Sequence, residues 1–366
     1  MSKIKKALKT PHLFLRDYLI KRYPIKYSEL KFSAEEVFYT QKVFRDIDII
    51  DNELSIGEPV DIVYTWVDNT DPAWQLKFNK YSNLNMAEVS PGAKNPARFE
   101  NHNELYYSVR SVLDNLTWVN KIYIVTDNQI PAWLKCIDTR FRDKILIVDH
   151  EQIIDKKYLP TFNSHVIESN LFKINGLNEN FIYFNDDVFV GHKLNKSHFF
   201  KSNGIASIFI SNKKQEDINK KRETATTFAC RNSTNLLKIK YGIIPNYSIQ
   251  HTYIPLKKSF FSFANDLFRD KIEEFYVNKF RSKNDINVAT YLIPWMMYFE
   301  GKAQLSRDIC NYFNCRSSDG KAQMEFLLKN RASGYMPDSI CANDFIKKEE
   351  TDLTFYKDFL EKYFKG

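Results

Sequence analysis

Four short runs of β-forming apolar residues constrain the fold of this chain most strongly. They lie near residues 61–67, 121–126, 144–148 and 181–184, and each ends in polar residues. The stretches between them have helical periodicity, most clearly ELYYSVRSVLDNL at 104–116. Strands that alternate with helices predict a mostly parallel, Rossmann-like α/β sheet flanked by helices. In such a sheet, ligands bind along the carboxyl ends of the strands.

Two adjacent carboxylates follow the fourth run. Phe181 to Phe184 reads as a buried strand, Asn185-Asp186-Asp187 comes directly after it, and Val188 resumes the apolar pattern. Carboxylates between apolar stretches are costly to bury unless a cation meets them. At the carboxyl end of a strand that cation is commonly part of a metal-bound or phosphate-bearing ligand. The alternative interpretation is a simple Asn-Asp turn between two strands.

A polar cluster leads into the helix that precedes this strand. Asn163 and His165 lie at its start, and Glu168 follows about one turn later on the same side. Such a cluster, feeding a helix that returns to an acidic strand end, favours the wall of an active site over a solvated loop.

Other polar residues lie near the remaining strands. Asp61 begins the first strand, and Thr126-Asp127 ends the second. Arg98 and Asn103 come just before the 104–116 helix, and Arg110 lies within it. His251 stands alone before a proline, where a histidine is more often structural than catalytic.

Composition narrows the class of protein. The 366 residues are 43% hydrophobic and 15% aromatic, which predicts a folded protein with a substantial core. No glycine-rich phosphate loop and no apolar run of membrane-spanning length occurs in the sequence. The five cysteines include no C-x-x-C pair, so we expect a reduced, cytoplasmic setting. A Cys310–Cys315 disulfide is the alternative.

The net charge of +8 is concentrated at one end. Residues 1–31 carry nine Lys or Arg against Asp17 and Glu29, so the rest of the chain is nearly neutral. This distribution argues against a nucleic-acid-binding face. It predicts a basic segment, residues 1–55, that contacts an anionic membrane surface; the alternatives are an ordinary helix packed on the body and a disordered tail. The sequence further predicts a catalytic domain at 56–345 and a peripheral amphipathic helix at 346–366, so that helical additions flank the domain at both ends.

Four stretches, in order, carry a resemblance to a known family. They are DIVYTWVDNTDPAW at 61–74; a long region from RFENHNELYYSVRSV at 98–112 to LPTFNSHVIESNLFKINGLNENFIYFNDDVFVG at 159–191; IQHTYIPLKK at 249–258 with FRSKNDI at 280–286; and SICANDF at 339–345. Together they resemble the four conserved regions of the Stealth family. That family includes bacterial capsule hexose-1-phosphate transferases and the catalytic subunit of the animal GlcNAc-1-phosphotransferase.

The resemblance implies a GT-A-like fold and transfer of a hexose-1-phosphate, for example N-acetylhexosamine-1-phosphate, from a UDP-sugar to a sugar hydroxyl. A phosphodiester forms and UMP leaves, in capsule or surface polysaccharide synthesis. Matched motif by motif, the family's catalytic residues fall on Asp61, Glu168, Asp187, His251 and Arg281. The predicted substrate contacts are Asn185, Asp186, Arg98, Asn103, Arg110, Thr126, Asp127, Asn163 and His165.

Oxygen ligands and a pyrophosphate donor suit a hard divalent cation, so we expect Mg²⁺ or Mn²⁺ at Asp186 and Asp187. The expected partners are the UDP-sugar, a saccharide acceptor, and the inner face of the membrane or the capsule assembly machinery. A homodimer is compatible with the sequence.

Two other functions fit the same residues. A metal-dependent glycosyltransferase would use the acidic pair but release UDP. A non-catalytic carbohydrate- or nucleotide-binding protein would leave His251 and Arg281 as scaffolding, but it would not account for the Asp186-Asp187 pair.

Overall fold

The structure is a computed structural model that describes residues 11–22, 34–54, 57–82, 89–90, 92–95, 98–214, 224–332, 334–344 and 353–364. Part of the predicted basic segment, residues 1–10 and 23–33, lies outside this described part of the chain, as does 345–352 before the C-terminal helix.

Eleven strands are present in the described residues, in three sheets. They are β1 Val60–Thr65, β2 Ile122–Thr126, β3 Ile145–Asp149, β4 Asn180–Asn185, β5 Val188–Val190, β6 Ala206–Lys214, β7 Tyr247–Ile249, β8 Ile254–Lys257, β9 Ala303–Ser306, β10 Cys310–Asn314 and β11 Ser339–Asn343.

The central sheet has the strand order β3-β2-β1-β4-β8. Its first four strands are parallel, and β8 adds to β4 in the antiparallel direction. Ile62 of β1 lies between Ile122 of β2 and Ile182 of β4, and all three side chains are fully buried. Continuous apolar strands of this kind are expected where helices cover both faces of a parallel sheet. The four predicted strands and their mostly parallel arrangement are confirmed.

A second sheet, β10-β11-β5, begins where the central sheet ends. β5 follows β4 after only two residues and pairs antiparallel with β11, while β10 and β11 are parallel. The strands of the third sheet, β7-β6-β9, lie between β5 and β10 in the sequence. The close succession of β4 and β5 is what places residues 186 and 187 at the junction of two sheets.

The described helices cover the sheets and form both ends of the described part of the chain. They are α1 Pro11–Arg22, α2 Ala34–Glu53, α3 Pro72–Ser82, α4 Glu104–Asn115, α5 Thr139–Arg142, α6 His150–Ile153, α7 Ser164–Ser169, α8 Lys196–Phe199, α9 Ala225–Tyr241, α10 Lys258–Tyr276, α11 Ile293–Phe299, α12 Ser318–Arg331 and α13 Thr354–Phe364. Short 3₁₀ turns occur at Ala132–Lys135, Lys156–Tyr158 and Leu171–Lys173, and a π turn at Val288–Leu292 precedes α11.

The C-terminal helix is amphipathic as predicted, but it is not peripheral. Tyr356, Phe359 and Leu360 of α13 are at most 1% exposed and pack in a second apolar core with Phe189 and Ile340 of the small sheet. The helix therefore covers the face of the small sheet, which would otherwise expose its apolar side chains to water.

Two expectations about the environment can be compared with the structure. All five cysteines are free thiols, and Cys310 and Cys315 are both buried without a bond between them. Among the described helices, none combines the length and the apolar character that crossing a bilayer requires.

Candidate active site

The acidic pair lies in a turn that joins two sheets. β4 ends at Asn185 and β5 begins at Val188, so Asp186 and Asp187 alone connect them. The backbone carbonyl of Asp187 accepts a hydrogen bond from the amide of Ala342 on β11, at 3.0 Å. The turn is thereby fixed at the carboxyl edge of the central sheet, where the strand pattern predicts a ligand.

Both carboxyl groups hold their protons unusually tightly. Burial, followed by the adjacent charge of Asp187, raises the pKa of Asp186 to about 7. Burial also raises the pKa of Asp187 to about 6, and the charge of Asp344 adds to this effect. Within the described residues, Oδ1 of Asp187 is buried without a hydrogen-bond partner. The pair is therefore short of positive charge and of hydrogen-bond donors.

His251 lies near Asp187, and one cysteine thiol is close to both side chains. The thiol of Cys341 lies 3.9 Å from Oδ2 of Asp187 and 3.8 Å from Nδ1 of His251. The backbone around His251 is held from both sides: Gln250 Nε2 donates to the carbonyl of Asp308 at 3.1 Å, and the hydroxyls of Thr252 and Ser339 are 2.7 Å apart. The structure thus brings together two predicted residues that are 64 positions apart in the sequence.

Arg281 is oriented by hydroxyl groups. Its Nε and Nη2 both donate to Oγ of Ser164, at 3.1 and 2.6 Å, and Nη1 donates to Oγ1 of Thr226 at 3.4 Å. Because hydroxyl partners carry no charge, these hydrogen bonds orient the guanidinium without neutralising it.

Glu168, Arg281 and Asp186 all lie near the phenol of Tyr183, and we call the region between them the crevice. The charges of Glu168, Arg281 and Asp186 all act on the phenol of Tyr183, whose pKa is raised first by its burial. Tyr183 lies on β4, and its hydroxyl donates to Oδ1 of Asn185 at 2.9 Å. Arg98 is exposed and lies within electrostatic range of Arg281 and Glu168. A basic region around Arg98 and Arg281 therefore lies near the acidic turn.

Asn163 and His165 support this site instead of lining it. Their side chains are 0% and 2% exposed, so a substrate does not reach them directly. Both bond to the same carboxylate oxygen of Asp285, each at 2.9 Å. Nδ2 of Asn163 also lies 3.3 Å from the carbonyl of Phe280. Their placement fits a role in positioning the loop that carries Arg281, whereas the sequence pattern predicted contact with the substrate.

The structure does not bring Asp61 to the crevice. It lies at the amino-terminal end of β1, and the opposite end of the strand meets the acidic turn. Its carboxylate accepts hydrogen bonds from Nδ2 of Asn120 at 2.8 Å, the amide of Lys121 at 3.2 Å, and the amide and side chain of Asn178, both at 2.8 Å. A fully buried carboxylate with four donors joins neighbouring segments of the fold.

The other predicted substrate contacts are scattered. Thr126 and Asp127 do lie at the carboxyl edge, where Thr126 is buried and Asp127 pairs with Lys77 at 2.9 Å. Asn103 is exposed at the start of α4 in a left-handed conformation, with φ 72°. Arg110, nearly two turns further along α4, lies 3.7 Å from Asp114 and lines a different cavity.

Several residues near the acidic turn were not predicted from the sequence. Glu104 is buried, and its pKa is raised well above the ordinary value by burial and by the charge of Asp186. His102 lies 3.2 Å from Asp344, which also forms an ion pair with Arg316. The signal was present, because Glu104 and His102 belong to the RFENHNEL motif and Asp344 to SICANDF. Without the fold, nothing indicated that these two motifs meet.

The acidic turn suits a divalent cation. Two raised carboxyl pKa values and an unpartnered buried oxygen at Asp187 are the features that a hard cation would compensate. Glu100, His102 and Asp344 form a further group nearby with ligand atoms within 4.8 Å of one another. The crevice therefore contains acidic groups of the kind that bind metal ions.

Comparisons with known proteins match this chain over nearly its whole length. The model of Stealth protein conserved region 1 matches residues 58–86, and that of conserved region 2 matches residues 98–208. A capsular polysaccharide phosphotransferase of Actinobacillus suis is 48% identical over 94% of this chain and 92% of its own length. The capsular polysaccharide phosphotransferase LcbA of Aeromonas hydrophila is 43% identical over 100% of this chain and 99% of its own.

Among solved structures, the galactosyltransferase LgtC in complex with donor and acceptor sugar analogues matches with a TM-score of 0.42. The identity is 14%, over 83% of this chain and 95% of that one. A likeness this distant identifies neither a site nor a substrate.

Proposed function

The chain belongs to the Stealth family of capsular polysaccharide phosphotransferases, and we propose that it transfers a hexose-1-phosphate from a UDP-sugar to a saccharide hydroxyl. The proposal depends on one observation. Asp187 and His251 lie 3.9 and 3.8 Å from the thiol of Cys341, in the same crevice as Arg281. An acid–base pair beside a guanidinium is what transfer of a phosphoryl group requires.

The proposed reaction breaks and forms bonds at one phosphorus atom. The acceptor hydroxyl oxygen forms a new bond to the phosphorus that carries the hexose. The bond from that phosphorus to the bridging oxygen of UMP breaks, and UMP takes the electron pair. The hydroxyl proton passes to a protein base. The product is a phosphodiester between two sugars.

Asp187 and His251 are the two candidates for that base. With a pKa raised to about 6, Asp187 binds a proton more readily than an ordinary aspartate and still ionises at neutral pH. Histidine titrates in the same range. Whichever group accepts the proton, the other is placed to hydrogen-bond the hydroxyl or the transferred phosphoryl group.

Arg281 would bind the phosphoryl oxygens. Its guanidinium donates two hydrogen bonds to Ser164, so it is oriented before the substrate binds. Glu168, also buried in this region, would balance the charge of Arg281 and Arg98 in the absence of phosphate. For Asp61, whose carboxylate is fully engaged at the other edge of the sheet, we propose a structural role.

A divalent cation, Mg²⁺ or Mn²⁺, would be held by Asp186 and Asp187. When bound, such an ion neutralises charge on the pyrophosphate of a nucleotide sugar. Full turnover in excess chelator, together with inactivity of Asp187→Asn, would leave the carboxylate essential and remove the metal from the proposal.

The test is to identify both products with a labelled donor. The protein is incubated with a panel of UDP-sugars carrying ³²P on the sugar-linked phosphorus, together with capsular oligosaccharide acceptors. We expect UMP in solution and the label in the acceptor product. Asp187→Asn is the matched control and should produce neither.

Each alternative function predicts a different result. Release of UDP, with no label in the product, would make the chain a conventional glycosyltransferase. Saturable sugar or nucleotide binding without turnover on any donor would make it a binding protein. Both results would contradict the proposal.

We also propose that the basic residues 1–31 bring the enzyme to an anionic membrane surface. Deleting them removes a net charge of +7 and none of the crevice residues. The truncated enzyme should keep its rate on soluble acceptors and lose binding to vesicles that contain phosphatidylglycerol. Equal vesicle binding by the full and truncated chains would refute this proposal.

A further inference from the structure

A second cavity lies at the far end of the small sheet from the acidic turn. Its volume is about 1730 Å³, and its walls come from α2, α4, the segment after β5 and the segment that follows β9. Glu104, beside the acidic pair, and Asp114, in the cavity wall, are ten residues apart on α4. This spacing corresponds to about 15 Å of helix. The cavity is therefore separate from the crevice but within reach of it.

The wall contributed by α2 is attached to the body of the protein. Asp51, near the end of α2, accepts a hydrogen bond from the hydroxyl of Ser202 at 2.7 Å and a second from its amide at 3.2 Å. These contacts fix the position of the helix across the cavity.

The cavity has an excess of positive charge. Its cationic lining residues are Lys42, Arg110, Lys193, Lys201, Arg307 and Arg331. The three carboxylates that line it already have donors: Asp51 is bound by Ser202, Asp114 lies 3.7 Å from Arg110, and Asp338 lies 2.8 Å from His192. Six cations and three carboxylates give the lining of the cavity a net positive charge, which favours an anionic ligand.

Apolar side chains lie between these cations. Ile47, Ile49 and Leu305 line the cavity and are 58%, 41% and 49% exposed. A ligand that carries spaced negative charges with less polar rings between them would meet both kinds of side chain.

We infer that this cavity binds a phosphodiester-linked saccharide chain, the part of the acceptor that lies behind the reacting hydroxyl. The inference rests on the proposed function, because an enzyme that forms sugar phosphodiesters meets an acceptor with one negative charge per linkage. The volume exceeds that of an ordinary small-molecule pocket, roughly 300–1,000 Å³, and so has room for several sugar residues. A concave site also excludes a flat membrane surface and double-stranded nucleic acid.

Binding is tested with fluorescent poly(glycerol phosphate), a flexible phosphodiester chain, and with neutral dextran oligomers of similar length. The cavity variant is Lys42→Glu with Lys193→Glu, since both lysines are exposed and lie on different walls. The matched control is Lys135→Glu with Lys238→Glu, which changes the net charge equally at exposed positions outside the cavity and the crevice.

At low salt, we expect the cavity variant to bind poly(glycerol phosphate) about tenfold or more weakly, and the control within about twofold of wild type. Lys42→Ala with Lys193→Ala, which adds no negative charge, should show a smaller loss in the same direction. Dextran should bind weakly to every variant. Equal loss in the control, or no loss in the cavity variant, overturns the inference. An oligonucleotide of equal charge that binds the cavity as tightly also overturns the assignment to a saccharide.

Turnover provides a second measurement. The KM of wild type should fall as the acceptor is lengthened, and the cavity variant should lose this dependence while keeping its kcat on the shortest acceptor. Length dependence that survives in the cavity variant contradicts the inference. Release of UMP from the donor in the presence of a short acceptor tests the proposed function independently. Either proposal can therefore fail without the other.

Discussion

Two clusters of aspartates and histidines lie at opposite ends of the same small sheet, and they differ in how well their charges are compensated. At one end, Asp187, which is adjacent to Asp186, and His251 both lie near the thiol of Cys341. At the other end, near the basic cavity, Asp308 and Asp338 meet His198 and His192.

The second cluster is well supplied with hydrogen-bond donors. Asp308 accepts from His198 at 2.9 Å and from the hydroxyls of Tyr253 and Ser339. Asp338 accepts from His192 and from the amide of Ile309, both at 2.8 Å. Burial raises the pKa of Asp308 even with these donors in place. Burial alone would also raise the pKa of Asp338, but the hydrogen bond and charge of His192, with the charge of His198, lower it overall.

Among the described residues, the first cluster has fewer donors, chiefly the backbone amides of its own turn and the thiol of Cys341. Oδ1 of Asp187 is buried without a partner among the described residues, and both carboxyl pKa values are raised to about 6 and 7. Both clusters contain the residue types that bind metals. Among the described residues, His198, Asp308 and Asp338 of the second cluster have suitable spacing, and near the first cluster Glu100, His102 and Asp344 do. The two clusters differ in the hydrogen-bond donors to their carboxylates. A cluster that stabilises the fold has these donors in place, whereas a cluster that binds a ligand lacks some of them until the ligand is bound.

The largest effect on the reactive end should come from Arg281→Lys. An ammonium group cannot reproduce the fork of a guanidinium held by Ser164, so we expect turnover to fall by about 10²–10⁴ despite the conserved charge. Arg269→Lys, on the exposed surface of α10, is the matched control and should keep its rate. Comparable rates for the two variants would show that Arg281 is no phosphoryl contact.

His251→Gln should reduce turnover by about 10²–10³. The pH–rate profile identifies the base, because loss of the limb near neutrality in the variant would assign the proton transfer to His251. A retained limb with a uniformly lower rate would assign it to Asp187. A near wild-type rate would make His251 a structural histidine. The difference between the two clusters would then have no consequence for catalysis at His251.

Asp308→Ala tests whether the second cluster stabilises the fold. It would leave His198, Tyr253 and Ser339 without their shared acceptor, so we expect the free energy of unfolding to fall by about 3 kcal/mol. Urea denaturation gives this value directly. Asp319→Ala, on α12, where Gln323 donates to the carboxylate at 2.9 Å, should cost less. Equal stability of Asp308→Ala and wild type would contradict a stabilising role for this cluster.

The sequence predicted the sheet well because its strands are local patterns. Each of the four predicted runs became a strand; three are buried, and β3 at the edge of the sheet is partly exposed. Asp186 and Asp187 lie at the carboxyl edge of this sheet, as the strand pattern predicted. The antiparallel β8 and the whole small sheet were not predicted, since their pairing depends on contacts between distant segments.

The site was harder to predict because a sequence does not show which polar groups are already bonded. Asp61, Asn163 and His165 carry suitable chemistry, but their hydrogen bonds are made within the fold. Cys341 lies between Asp187 and His251, yet it came from a motif near the C-terminus with no separate signal of its own.

The raised pKa of Asp187 makes the central claim measurable as a dependence of stability on pH. The pKa is about 6 in the folded protein and about 3.9 in the unfolded chain. Because the folded state holds the proton more tightly, stability falls as the pH rises from the unfolded value through the folded value. Glu104 and Asp186, whose pKa values are also raised by burial, act in the same direction. Asp338 acts oppositely, since its lowered pKa stabilises the fold above about pH 4.

The most direct test is the free energy of unfolding of Asp187→Ala and wild type at pH 8 and at pH 5, with phosphotransfer measured on the same preparations at pH 8. We predict that the variant is inactive and about 1–2 kcal/mol more stable than wild type at pH 8, with a smaller difference at pH 5, where the folded protein keeps this carboxyl largely protonated. A variant that is destabilised at pH 8 as Asp308→Ala is expected to be, or that retains its activity, would contradict the claim that the fold leaves this carboxylate uncompensated for the sake of catalysis.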